Sequence, residues 1–368
     1  MGGFMSTLRY CWPVLLLCGS FQAAAAPQYS LALLDNAHGT AVAINNAGLV
    51  AGNRWDNTLG SRSFTWSGGQ FALLPPAFGL VYGMSSQGHI AGSTQTFEEG
   101  GGQWMWSEGV VYHQGKLDGV PEVFPPATNF GMYRFTRAQA VNGAGAVLAV
   151  TEAGSHSGTF LYANGHTTVL PMSQAIAIND AGQIAGNSSY SEPIEQAVLF
   201  DHGVLTGLGT LPTDGYAHSR ASDINEQGMV VGSSYYGNGD QLHTHSFLYQ
   251  HGEMTPLGNF TTENVANAIN NAGAVVGYYM VGGATDHGYL IVNGEQYDLN
   301  ALVNNSAGWT ISRAEDINDS GYIVGQACRN NGSDCVAMML SPVPEPGVWA
   351  MLAAGVGLLG WRRMRGAA

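Results

Sequence analysis

The sequence predicts an all-β fold, a seven-bladed β-propeller closed by its N-terminal strand. Three observations carry this: seven copies of an Asn-x-x-Gly unit, a spacing near 45 residues, and a strand ahead of the first unit that matches the last strand of the others. A signal peptide (1–26) and a C-terminal hydrophobic helix (343–365) flank the propeller, which occupies 27–342.

The unit reads Ala43-Ile44-Asn45-Asn46-Ala47-Gly48, with Val50-Ala51-Gly52 behind it. It returns at 83–92, in worn form at 140–147, and at 177–186, 223–232, 268–277 and 316–325. The glycines at 48, 88, 145, 182, 228, 273 and 321 lie 40, 57, 37, 46, 45 and 48 residues apart, the period of a four-stranded propeller blade. Asparagine at the first position and glycine at the fourth suit a type I turn, and the glycine lets a second strand pair back on the first.

A third strand follows each of the first six turns: Phe64-Thr65-Trp66, Trp104-Met105-Trp106, Phe160-Leu161-Tyr162, Val198-Leu199-Phe200, Phe247-Leu248-Tyr249 and Tyr289-Leu290-Ile291. A glycine turn comes next, and then a fourth strand ending on Leu74, Leu170, Leu208, Leu257 or Leu299. The last copy stops after its third strand (336–340), and residues 29–34 supply the missing fourth, which leaves a ring no open edge. A β-solenoid or a pair of sandwiches is the alternative, although a solenoid carries capping repeats.

These units resemble the HAF family of bacterial extracellular repeats, in which Ile-Asn-(Asp/Asn)-x-Gly-x-(Ile/Val)-x-Gly precedes a His-Ala-Phe strand. That strand opens here as Arg62-Ser63-Phe64, His245-Ser246-Phe247 and His287-Gly288-Tyr289, and the resemblance covers roughly 29–340. It implies an architecture and a secreted context but no activity.

Composition narrows the function classes. With 12 Lys+Arg against 26 Asp+Glu and a net charge of −14, the chain lacks the clustered basic residues that phosphate backbones require, so nucleic acid is excluded as a partner. The 52 glycines fit tight turns; they do not recur every third residue as in collagen.

The two ends read as addresses. Arg9, the apolar run 14–18 and four alanines at 23–26 form the pattern of a secretory signal peptide. The apolar run 347–361, about 22 Å long as a helix, is a marginal membrane span. Pro344-Glu345-Pro346 before it and Arg362, Arg363 and Arg365 after it resemble the PEP-CTERM sorting tail of Gram-negative bacteria. The resemblance implies signal peptidase and an exosortase-type transpeptidase as processing partners, transient anchoring in the inner membrane, and delivery to the cell surface or extracellular matrix. A plain membrane anchor is the alternative. Without both ends the basic residues fall from 12 to eight, and the cysteines left are Cys328 and Cys335, expected to form a disulfide across one hairpin in an oxidising compartment.

In this arrangement the short turns share one face and the long loops the other, where binding residues gather. The long loops carry Trp55, Tyr190, Tyr216, Tyr235, Tyr236, Tyr278, Tyr279 and Trp309, with Asp56, Glu98, Glu99, Glu192, His218 and Asp286 among them. The longest insertion, about 113–135, adds Glu122, Phe124, Phe130, Tyr133 and Arg134. Flat aromatics stack on sugar faces and carboxylates accept from hydroxyls, so extracellular polysaccharide is the expected ligand; alternatively these residues pack their own loops. Asp316-Ile317-Asn318-Asp319-Ser320-Gly321 and Asp223-Ile224-Asn225-Glu226-Gln227-Gly228 open like calcium loops, but Ala327 and Ser234 stand where a bidentate Glu belongs. His243 and His245 lack a third ligand for zinc. No metal or cofactor is expected, and the absence of a nucleophile elbow, a dinucleotide loop or a His-Glu-x-x-His motif points to a non-catalytic module. A glycan-active lyase or hydrolase, or a scaffold for a surface protein, is the competing expectation.

Overall fold

The computed structural model describes residues 26–344 apart from 57–59, 96, 100–103, 122–132, 154–155, 192–193, 212–215, 239–240 and 283–285. The fold is all-β; among the described residues the one helical element is a 3-10 turn, Leu299–Ala301. The fourth sheet is a simple antiparallel meander of Gln174–Ile178, Ile184–Ser191, Ile194–Asp201 and Val204–Gly209. Tyr216–Ile224, Val230–Asn238, Gln241–Gln250 and Glu253–Pro256 repeat it as the fifth sheet, and Asn264–Ile269, Val275–Tyr279, His287–Val292 and Glu295–Asp298 as the sixth.

The strand Gln28–Ile44 serves two meanders within the seven-stranded first sheet. Its first half pairs with Asp334–Val343, from Gln28↔Val343 to Leu33↔Met338, beyond Ile323–Arg329 and Thr310–Ile317. Its second half pairs with Val50–Asp56, which leads to Gly60–Ser67 and Gln70–Leu73.

The second unit corrects one expectation. Its third strand is Gly109–His113, paired to Ile90–Thr94 and Lys116–Gly119 beside the first strand Phe78–Met84. Trp104–Ser107 instead runs parallel to Tyr133–Val141 in the third sheet, where it also pairs with Phe97–Glu99. That sheet continues through Val147–Ala153, His156–Ala163 and His166–Val169. The reason is steric. In the first, third, fifth and sixth sheets a buried aromatic of the third strand (Phe64, Phe160, Phe247, Tyr289) lies opposite a small second-strand residue. Opposite Gly92 the third strand offers Val110, and Phe78 fills the space from the first strand.

The core lies between neighbouring sheets, as in a β-propeller. Ala185, Ala197 and Leu208 pack on Ala221, Ile224 and Phe247; Val231 packs on Ala266 and Tyr289; Val276 and Leu290 pack on Ile311 and Ile323. Val324 and Met339 in turn pack on Ile44 and Phe64, so that the first and last units are neighbours.

The first strand of every unit carries the same one-residue bulge, and the bulged residues Val42, Tyr82, Gln139, Ile176, Ser222, Asn267 and Glu315 line a central channel. The Asn-x-x-Gly turns surround one mouth of it. In each, the glycine N–H donates to the first residue's carbonyl at 3.0 Å, with the glycine at φ between 74° and 83°. The asparagine side chain then ties turn to turn. Asn142 Nδ2 donates to the Asn179 carbonyl, Asn179 to Asn225, Asn225 to Asn270, Asn270 to Asn318, and Asn318 to Asn45. Asn45 reaches the Ser86 carbonyl; Ser85, standing where the others have asparagine, has no amide to pass on.

Candidate functional site

Strand direction puts the Asn-x-x-Gly turns and the glycine turns on one face and the long connections on the other. On the long-loop face, arginines occupy one register position, four residues before the last residue of a first strand: Arg137, Arg220 and Arg313. Each meets a carboxylate. Arg313 Nη2 lies 3.1 Å from Asp286 Oδ2, Arg220 Nη2 lies 2.7 Å from Glu195 Oε2, and Arg137 Nη1 lies 2.8 Å from Glu152 Oε1. Two of them also cover an aromatic ring: Arg313 stands 4.3 Å from the centre of Tyr278 and Arg220 5.8 Å from that of Tyr235. Burial pushes the Tyr278 hydroxyl pKa up, and Arg313 pulls it partly back. The sequence singles out the tyrosines and Asp286 but not the arginines, although each stands five residues before the asparagine of a turn (Asn142, Asn225 and Asn318), a spacing that would have found them.

The other expected residues scatter. Trp55, 56% exposed, stands at the end of its strand. Tyr279 turns the opposite way from Tyr278, into its own sheet. Its hydroxyl donates to Asp298 Oδ2 at 3.1 Å, its ring packs on Phe260, and burial raises its pKa to about 12. His287 Nδ1 meets the same Asp298 oxygen at 2.9 Å, and His245 lies beside Asn264. Trp309 is half-buried beneath Arg329, 4.4 Å away, which pairs with Asp334 next to the Cys328–Cys335 disulfide. His218 Nδ1 accepts from the Glu195 N–H at 3.1 Å. The side chains of Asp56, Glu98, Glu99, Tyr133, Tyr190, Tyr216 and Tyr236 lie outside the described residues, as do Glu122, Phe124, Phe130, Glu192, and the tail from Glu345 onward with Pro346, Arg362, Arg363 and Arg365. Pro344 is described and exposed. Among the described residues no helix is long and apolar enough to cross a membrane.

Two cavities flank the arginine positions. The central channel holds about 220 Å³, with Asp223, Asp316 and Glu315 in its wall. The oxygens of both aspartates are occupied: Asp316 accepts from the Ile44 and Ile317 N–H groups, Asp223 from those of Ile269 and Ile224. These carboxylates cap neighbouring first strands, which accounts for the calcium-like look of the two segments. A second cavity of about 330 Å³ opens between the second and third sheets, where Ser107 and Phe135 pair across parallel strands. Arg137 and Glu152 stand in its wall with Tyr82, Ser93, Thr94 and Gln95.

The channel aspartates set a pH dependence. Burial, reinforced by Asp316, pushes Asp223 up to about 7, and burial pushes Asp316 up to about 6. A carboxyl that stays protonated in the folded state and ionises in the unfolded chain makes stability fall as pH rises. The melting temperature is therefore expected to decline from pH about 4 to about 7 and to level off above. At Asp298 and Asp319 burial pushes upward but hydrogen bonds from His287 and Asn300, and from Asn271 and Asn46, hold the carboxyls below the usual range. Their contribution is lost only at lower pH. Thermal melts of the wild type and Asp223→Asn check this: the variant should show the shallower decline, and a wild-type melting temperature that climbs from pH 5 to 7 would refute it.

No protein-family profile matches the chain, and no curated protein matches it in sequence. Solved structures do resemble it. Pyrococcus horikoshii acylaminoacyl peptidase superposes with a TM-score of 0.50 at 13% identity over 86% of this chain, which spans about half (54%) of the peptidase. An Aleuria aurantia lectin variant in complex with alpha-methyl-L-fucoside gives 0.39 at 11% identity, covering 74% of this chain and 96% of the lectin. A fungal lectin described as a six-bladed β-propeller gives 0.32 at 8% identity, covering 86% and 96%. The peptidase likeness is one of fold.

Proposed function

We propose that the protein is an exported, non-catalytic module of the bacterial cell surface or extracellular matrix that binds polysaccharide through its long-loop face. The observation that carries this reading is the recurrence of arginine, carboxylate and tyrosine together at Arg220, Glu195 and Tyr235 and at Arg313, Asp286 and Tyr278. Each group sets N–H donors, oxygen acceptors and an aromatic ring side by side, the three kinds of contact a sugar ring makes. The carboxylates favour binding over hydrolysis: Glu195 and Asp286 are held by arginine, and Asp223 and Asp316 by backbone N–H groups.

The same proposal covers architecture and address. The seven bulged first strands, the asparagine bonds that return to Asn45, and the pairing of Gln28 with Val343 support a seven-bladed ring of the HAF type closed by its N-terminal strand. The pattern of 1–26 and the Pro344-Glu345-Pro346 tail with its arginines support export, transient anchoring in the inner membrane and exosortase processing.

Retention on glycan arrays and on exopolysaccharide from the producing bacterium tests the binding. Tyr235→Ala and Tyr278→Ala are each expected to weaken the affinity about tenfold, or roughly 1.4 kcal/mol. Unchanged retention in both variants would move the site off these groups. A folded protein retained by no glycan would favour a protein-binding scaffold.

A further inference from the structure

We propose that the cavity between the second and third sheets is a subsite for one uncharged pyranose unit, and that the glycans bound are neutral ones. The inference rests on the polysaccharide reading above and names its substrate class.

The size suits a sugar. About 330 Å³ lies at the lower end of the range for small-molecule sites, roughly 300–1,000 Å³, which suits a single small ring and not a folded peptide. The wall is rich in hydroxyls and amides, from Ser61, Ser93, Thr94, Gln95 and Ser107, with Tyr82 and Phe135 as the ring-bearing residues. Several of these groups are held in place. Gln95 Nε2 donates to the Ser61 and Phe78 carbonyls at 3.1 and 3.4 Å, and Thr94 Oγ1 accepts from the Glu108 N–H at 3.0 Å. A wall of fixed hydroxyl and amide groups matches a ring of hydroxyl groups better than it matches an apolar ligand.

Charge decides between neutral and acidic sugars. Among the described residues of the wall the one cation, Arg137, is already neutralised: Nη1 donates to Glu152 Oε1 at 2.8 Å and Nε to Gln139 Oε1 at 3.2 Å. A uronate or phosphate entering here would have to displace Glu152 or sit beside it. The surrounding field adds to the penalty, because the protein carries a net charge of −14 and polyanions are repelled at long range. Arg220 and Arg313 are paired in the same way, to Glu195 and Asp286. An ion pair still hydrogen-bonds a pair of vicinal hydroxyls, one donating to the carboxylate and one accepting from the guanidinium.

Calorimetry on the full-length protein provides the test, with cellohexaose, isomaltohexaose and mannohexaose as neutral probes and hexagalacturonate as the acidic one. The wild type is expected to bind at least one neutral hexamer at least tenfold more tightly than hexagalacturonate in low salt. Glu152→Gln, which frees Arg137, should shift that ratio toward the acidic probe by about tenfold. Arg137→Met should weaken the neutral hexamer about tenfold without changing the melting temperature by more than a few degrees. Tighter binding of hexagalacturonate by the wild type would overturn the neutral class while leaving polysaccharide binding intact. Neutral binding that neither cavity variant alters would overturn the subsite. If no hexamer and no exopolysaccharide binds a folded protein, the polysaccharide reading itself falls, and this inference with it.

Discussion

Gly277→Ala is expected to destabilise the protein by about 3 kcal/mol or more, lowering the melting temperature by roughly 6–10 °C. A Cβ there would press into the Val265 carbonyl of the adjoining strand and approach both the Ala266 Cα and the Tyr289 ring to 3.0 Å. Neither side can yield. The backbone is fixed by the bulge at Ala266/Ala268, and Tyr289 is fully buried with its hydroxyl 3.0 Å from Ser246 Oγ. Gly294→Ala is the control. That glycine sits in an exposed turn at φ 78°, and a methyl group added there would meet nothing within 4 Å, so only conformational strain of about 1 kcal/mol is expected. Parallel thermal melts compare the two, and equal losses would refute the steric account.

Asn270→Ala is expected to cost about 3 kcal/mol, because one buried side chain serves three backbone groups. Its Nδ2 donates to the Asn318 carbonyl at 3.0 Å, and its Oδ1 accepts from the Ala272 and Ala274 N–H groups at 3.0 and 2.9 Å. Asn270→Asp keeps an acceptor and, protonated below pH 4, an O–H donor in place of the amide, so it should fall between the wild type and the alanine variant there and drop further at neutral pH, where the donor is gone and a charge would face the Asn318 carbonyl. Urea unfolding at both pH values separates the two contributions. A silent alanine variant would mean that the turns are held by packing alone.

The turn chemistry makes the all-β fold readable. Asparagine at the first position and glycine at the fourth specify a local conformation, and the strands on either side follow from it. The third strand of the second unit escapes such a reading because Trp104-Met105-Trp106 has the aromatic pattern that Phe64 and Phe247 show, while Val110 does not; nothing local reveals that Phe78 supplies the missing ring. The arginine–carboxylate pairs of the long-loop face are hidden for a different reason. Arg137, Arg220 and Arg313 each stand five residues before a turn asparagine, but their acids arrive from differing strands, Glu152 from a second strand and Glu195 from a third, so no spacing in the sequence pairs them. Tyr278 and Tyr279 look equivalent as a pair, yet strand alternation sends one beneath Arg313 and the other against Phe260 and Asp298.

The strand Gln28–Ile44 has a consequence for the order of folding. Half of it finds its partners within the next 40 residues, but the other half pairs with residues about 310 positions away, from Leu33↔Met338 to Gln28↔Val343. Closing so long a loop carries a large entropic penalty before any contact rewards it, and rates fall with such sequence separation. A nascent chain therefore holds one half-strand idle, with its hydrogen-bonding groups open, until nearly the whole protein has been synthesised. That waiting edge is the segment most exposed to a wrong neighbour, and the hydrogen bonds that finally occupy it are the last the fold acquires.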